Sequence, residues 1–283
     1  MQQLKDSGIV VLKEFFPKER IEKLRESAKD VFKIQFRHFG YSDFDNNEGF
    51  KNAMIRLFNE QLEVFQSTGK LIQSGLVELY KIVYDDILLD KLKELGLSNP
   101  LVCTRPALFF NHPKLAKQSQ YYKTPTHQDY PSMLSSSDSV VVWIPLVDVS
   151  PENGAVIFYP QSHKLGPLRT SLDTSGFAEV DIDIEKYKPI QPSLQIGDIA
   201  IFSTLMVHGS GDISNDDIRW SCHFRYTNLD DEDFIEAYKA SIALEQSAAD
   251  RIQSMYGEAM GDNWMRTASN FFFNVNFIIG FCN

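Results

Sequence analysis

With 283 residues, 43% of them apolar and 23% charged, the chain has the ordinary composition of a globular protein. It is long enough to bury a core without disulfides or a structural metal, and its formal net charge of −10 argues against nucleic acid or an anionic membrane as its main partner. Cys103, Cys222 and Cys282 form no C-x-x-C pair, so no zinc ribbon or thioredoxin-like motif is present and reduced thiols in a cytoplasmic setting are expected.

The N-terminal stretch MQQLKDSGIVVLKEFFPKER breaks its apolar run with charge and offers no small-residue cleavage site, so it does not read as a secretory signal. The first hundred residues carry helical periodicity. Ile21, Leu24, Ala28, Phe32 and Phe36 fall on one face of a helix over 16–39, with Pro17 near its start. A second helical region is expected over 50–67 and a third over 70–95, ended by Gly96 and Pro100.

From residue 101 the texture changes. CTRPALFFNH, SVVVWIPLVDV, GAVIFYP, LQIGDIAIFS and WSCHFRYTNL are short runs rich in β-branched and aromatic residues, separated by Pro, Gly, Asn, Asp and Ser. That is the pattern of an antiparallel sandwich or jelly roll. The acidic alternation over 178–187 reads as a solvated edge strand. Helix returns from residue 230, and NFFFNVNFIIGF reads as a terminal strand or buried extended segment. The longest apolar runs are strand-length and too short to span a bilayer. The whole reads as one domain over 1–283: a mainly helical part over 1–98, a β core over 99–229, and a helical part with a terminal strand over 230–283.

Within the β region, TPTHQDYPSM places His127 and Asp129 two apart, on one side of an extended chain. A tripeptide of this kind decides nothing alone, and a hydrogen-bonded surface pair is the plain alternative. His208 follows the apolar run IAIFSTLMV and precedes Gly209-Ser210-Gly211, which puts it at the end of a buried strand. Two imidazoles and a carboxylate on one face leave coordination positions open, the arrangement suited to non-haem Fe(II) binding a co-substrate and oxygen together. Arg219 lies eleven residues after His208, across a loop expected to return the chain as the neighbouring antiparallel strand. Its guanidinium can pair bidentately with the far end of a dicarboxylate, and the Ser210 hydroxyl can reach the same group. A salt bridge from Arg219 to Asp212, Asp216 or Asp217 is the structural alternative.

Together these residues resemble the phytanoyl-CoA dioxygenase family of Fe(II)- and 2-oxoglutarate-dependent oxygenases: H-x-D, then H-G-S, then Arg eleven past the distal His. The stretch 137–163 resembles the family's strand, Asn-Gly turn and P-G-S-H element, with Gln161 where Gly is usual; the FFPKE start and IGDIAIF match as well. The resemblance implies an α+β fold with a double-stranded β-helix (jelly-roll, cupin-like) core flanked by N-terminal and C-terminal helices. It implies Fe(II) held by His127, Asp129 and His208, with 2-oxoglutarate and O2 as co-substrates and Arg219 and Ser210 on the 5-carboxylate. Trp143, fourteen residues past Asp129, falls near the wall of the 2-oxoglutarate pocket. Thr124 lies just before the metal pair and is a further candidate for that pocket. Tyr122 and Tyr130 flank the pair, and Arg225 shares a strand face with Arg219 by alternation; these three are candidate substrate contacts.

The reading is therefore hydroxylation of an unactivated C–H bond in a small molecule, with release of succinate and CO2. Related halogenases put a small residue where Asp129 stands, so Asp129 speaks for oxygen transfer. The competing readings are a metal-dependent cupin-type isomerase or hydrolase, which has no use for Arg219, and a non-catalytic binding jelly roll.

Overall fold

The computed structural model describes residues 2–115, 123–133, 135–172, 178–232 and 234–235. Residues 1–228 form one compact unit and 229–283 a second. The expected C-terminal helices and terminal strand fall almost wholly outside the described residues, as does Tyr122.

The chain opens with α1 (Gln2–Ser7) and β1 (Ile9–Leu12), a strand that the sequence reading did not anticipate. Next comes α2 (Lys18–His38), in which Ile21, Leu24, Ala28, Phe32 and Phe36 are all fully buried, as their spacing requires. The second helical region is two helices, α3 (Asn47–Glu60) and α4 (Leu62–Gly75), and the third adds α5 (Val77–Val83) and α6 (Asp86–Glu94). The first break falls at Gln61, φ −138°, which has no helix-breaking chemistry; the second follows Gly75, with Leu76 extended. Of the helix starts, those of α3 and α6 carry readable caps, whereas Gln61 and Leu76 make no side-chain cap. Asn46 accepts a hydrogen bond from Gly49 N and Asp85 one from Leu88 N, both as N-caps.

The strands that follow are β2 (Pro100–Val102), β3 (Ala107–Asn111), β4 (Val140–Pro145), β5 (Val156–Phe158), β6 (Thr170–Leu172), β7 (Ala178–Val180), β8 (Ile199–Ser203), β9 (His208–Ser210) and β10 (Arg219–Asn228). The larger sheet runs β1-β8-β4-β10-β2, with β3 also pairing β10; β5 and β9 form a second sheet, and β6 and β7 a third. All named pairs are antiparallel.

Strand alternation divides the larger sheet into two faces. Val140, Val142, Ile144, Ile199, Ile201, Trp220, Cys222, Phe224 and Tyr226 point into the core shared with the helices. There Phe32, Phe65 and Phe110 meet with centroids 5.1–5.7 Å apart and tie α2, α4 and β3 together. The opposite face, with Val141, Trp143, Ala200 and Phe202, packs against Val156 and Phe158 of the second sheet. This is the interior of a jelly roll, and every candidate site residue on β10 lies on that side.

Three expectations are corrected here. His208 does not end the buried strand: β8 stops at Ser203, a turn follows in which Met206 N donates to Ser203 O at 2.9 Å, and His208 opens β9. The strand carrying Arg219 is not the hydrogen-bonded neighbour of the one carrying His208. β9 pairs β5, whereas β10 pairs β2, β3 and β4 in the larger sheet. Of the acidic alternation, only Ala178–Val180 is strand; Val180 is buried and its N–H donates to Thr126 O at 2.9 Å, tying the segment to the approach to His127.

Candidate metal centre

The site grows from a backbone pairing. His127 N donates to His208 O at 2.8 Å and His208 N donates to His127 O at 3.0 Å, an antiparallel bridge that sets the two imidazoles 4.2 Å apart. Asp129 sits two residues on, its N–H donating to Thr204 O at 3.0 Å in the turn that separates β8 from β9. Each of the three residues offers one ligand atom, and these atoms lie within 4.8 Å of one another.

The imidazoles are oriented for metal by their other nitrogens. Nδ1 of His127 is 2.8 Å from Pro125 O and Nδ1 of His208 is 2.9 Å from Met206 O. A carbonyl only accepts, so each Nδ1 carries the proton and each Nε2 turns a lone pair toward the carboxylate. Those Nε2 atoms lie 3.7 Å and 3.9 Å from the two Asp129 oxygens. Three lone-pair donors facing one point fit a divalent ion of intermediate softness, iron included.

The electrostatics agree. Burial, helped by the neighbouring His127, pushes the His208 imidazole down to about 3, which keeps it neutral as a ligand must be. Burial acts to raise the Asp129 carboxyl, but its polar neighbours, the Arg225 guanidinium first among them, hold Asp129 well below the usual carboxylate range. Arg225 is the nearest of these partners, its Nη2 3.0 Å from Asp129 Oδ1. The rings of Phe202 and Phe158 wall His208 on the side away from the carboxylate, at 4.8 Å and 6.3 Å.

Gln128, the middle residue of the tripeptide, was not singled out from sequence. It points to the opposite side, where Nε2 donates to Leu205 O at 2.6 Å and Gly166 O at 3.0 Å, and Oε1 accepts from Leu168 N at 2.9 Å. The amide thus pins the metal pair to two other loops. A buried Gln between two candidate ligands was the available signal.

Arg219 begins β10 and is 5% exposed. Its Nη2 donates to Asn111 Oδ1 at 2.9 Å and its Nη1 to the Gly154 carbonyl. Both acceptors are neutral, so they aim the guanidinium without cancelling its charge. Of the aspartates weighed as alternative partners, Asp212 pairs with Lys123, and Asp216 with Lys51, Lys114 and His112. Asn111 and Gly154 were not singled out from sequence. Ser210 N donates to Thr124 O at 3.0 Å, which brings these two candidates together beside His208. Trp143 is buried in the jelly-roll interior and stands opposite His223 in the strand register. Tyr130 opens a 3-10 turn directly after Asp129, its N–H on Thr204 O. His163 lies with Nε2 3.0 Å from Lys5 O.

A jelly roll whose interior carries two histidines and a carboxylate around one point offers the site of a mononuclear metal protein. The chain belongs to the phytanoyl-CoA dioxygenase family, whose model matches residues 4–221. Solved structures agree on the fold. One is the non-heme monooxygenase ThoJ, 16% identical over 80% of this chain and 76% of that one, with a TM-score of 0.55. Another is the non-heme alpha-ketoglutarate-dependent epimerase SnoN from nogalamycin biosynthesis, at 17%, 80% and 79%, with a TM-score of 0.51. A third is EctD from S. alaskensis with 2-oxoglutarate and 5-hydroxyectoine, at 12%, 81% and 75%, with a TM-score of 0.50. Among curated proteins no sequence matches the chain. Among the described residues, no helix is long and apolar enough to cross a membrane.

Proposed function

We propose that this protein is an Fe(II)- and 2-oxoglutarate-dependent oxygenase that hydroxylates an unactivated C–H bond of a small molecule. The observation that carries the reading is the convergence of His127, Asp129 and His208 within 4.8 Å, with both imidazole protons held away on backbone carbonyls. When bound, iron supplies oxygen activation at the expense of 2-oxoglutarate, which leaves as succinate and CO2.

The chain's own residues do the rest. His127 and His208 present Nε2, and Asp129 its carboxylate, to the ion. Arg219, held flat by Asn111 and Gly154, receives the 5-carboxylate of 2-oxoglutarate as a charge-assisted pair, with Ser210 and Thr124 beside it. Trp143, Phe158 and Phe202 exclude water from the same interior. Arg225 and Tyr130 stand on the side where a substrate approaches.

The relatives in fold include a monooxygenase and an epimerase, so the outcome depends on where the substrate carbon sits. Asp129 in the carboxylate position favours oxygen transfer over halogenation. Cys103 and Cys222 are free thiols, which agrees with a reducing cytoplasmic setting.

The deciding experiment is anaerobic visible absorption of the purified protein with Fe(II), then 2-oxoglutarate. A weak charge-transfer band that needs both additions supports the reading. Folded protein that binds the metal and yields no band overturns it in favour of a non-redox metal enzyme.

A further inference from the structure

The buried faces around the triad hold a cation that a metal site does not need. Arg225 lies in the middle of β10, opposite Val141 of β4, and its carbonyl accepts from Cys103 N at 3.0 Å, so its backbone is fixed on both sides. Its Nη2 sits 3.0 Å from Asp129 Oδ1, and its side chain is 16% exposed. The other titratable groups facing this point are His127, His208, His223 and Cys103, a thiol that burial pushes up to about 12. An imidazole is neutral or cationic, so none of the three histidines can offset the guanidinium.

A guanidinium and a divalent ion therefore share one carboxylate. Beside a divalent ion and Asp129, Arg225 leaves the centre with two positive charges; without Arg225 it would carry one. Like charges one carboxylate apart in a buried site repel strongly, because the surroundings screen them poorly. The repulsion weakens the hold on the bare ion. It also adds attraction for an anion that arrives at the ion, and a dicarboxylate brings that charge.

We propose that Arg225 is a positioning residue that makes metal retention conditional on the anionic co-substrate: it loosens the bare ion and tightens 2-oxoglutarate. The proposal rests on the co-substrate assignment above. The alternative is a plain structural ion pair fastening the 129–132 turn to β10, and the two differ in sign. A structural pair, once cut, weakens every ligand together. The charge effect moves the two affinities in opposite directions.

The test uses full-length protein in three forms: unmodified, Arg225→Met and Arg225→Lys. Mn(II) affinity is read from the paramagnetic resonance of free Mn(II), and 2-oxoglutarate affinity by calorimetry on the Mn(II)-loaded protein. Arg225→Met is expected to bind Mn(II) about tenfold tighter and 2-oxoglutarate about tenfold weaker, while Arg225→Lys, which keeps the charge, stays close to the unmodified protein. Weakening of both affinities in the Met variant overturns the proposal, as does a Met variant equal to the unmodified protein in both. Should Arg225→Met not fold, Arg225→Gln takes its place, and failure of both neutral forms to fold means a structural pair and overturns it as well. An unmodified protein that binds Mn(II) and no 2-oxoglutarate overturns the co-substrate assignment, and the manganese measurement still decides the role of Arg225.

Discussion

His127 and His208 are joined through their backbones before any metal joins their side chains. The reciprocal hydrogen bonds of 2.8 Å and 3.0 Å place two imidazoles, 81 positions apart in the chain, with ring centroids 4.2 Å apart. The main chain thus builds the geometry in advance, and an ion finds its ligands oriented. This separates metal binding from folding, since neither side chain belongs to the core shared by the helices and the larger sheet.

His127→Ala and His208→Ala should therefore abolish metal binding and turnover while the fold survives. Circular dichroism spectra matching the unmodified protein, alongside loss of Mn(II) binding, are the expected result. Unfolding of either variant would show that the site is part of the scaffold.

Gly154 stands at φ +81°, and a Cβ there would meet Ile213 Cγ1 at 2.7 Å and Arg219 Nη1 at 3.2 Å. Gly154→Ala should cost about 1 kcal/mol or more in stability from the backbone alone. It should also displace the guanidinium and weaken 2-oxoglutarate binding, with metal affinity held near the original. Arg219→Ala should show the same separation more strongly; calorimetry with each ligand reads both.

Gln128→Ala removes three hydrogen bonds, one buried and two part-buried, that lock the metal pair to residues 166, 168 and 205. Leaving two carbonyls and an N–H without partners should destabilise the protein by about 2–4 kcal/mol. Urea unfolding measures it, and a Mn(II) affinity lowered in the same variant would show that the pinning reaches the site.

Gln161 holds φ +71° although it carries a side chain, and its N–H donates to Ser7 O at 3.0 Å. The left-handed conformation costs a non-glycine residue about 1–2 kcal/mol. Gln161→Gly should accordingly stabilise the protein by roughly 0.5–1 kcal/mol after the entropy that glycine loses. A lower melting temperature would mean that the Gln side chain contributes more than its backbone costs.

Asp198 accepts from Lys13 Nζ, Glu14 N and Gln195 N at 2.8–2.9 Å. Burial acts against its charge, but these donors win and lower its folded value. A carboxyl lowered on folding adds stability above its ordinary value of about 3.9, and that stability is lost as pH falls through the folded value. Asp198→Asn should thus be less stable than the unmodified protein at pH 7, and the gap should narrow below about pH 4. A gap constant from pH 7 to 3 in urea unfolding would remove Asp198 from the acid response.

The amino-acid sequence by itself determined the face of α2, the five apolar runs that became β3, β4, β5, β8 and β10, and the spacing of His127, Asp129, His208 and Arg219. These are local properties: a period of 3.6 or 2, or a fixed offset along one chain. Tertiary structure alone decided the break at Gln61, because that residue carries no breaking chemistry and packing against the core selects the bend, whereas Gly75 before Leu76 is a stop signal of the sequence. It also decided that His208 opens its own strand and that Arg219 lies in the other sheet. Strand partners are chosen by contacts between segments far apart in sequence, and no local pattern encodes them. The same holds for Gln128, Asn111 and Arg225, whose hydrogen-bond partners lie 38 to 108 positions away.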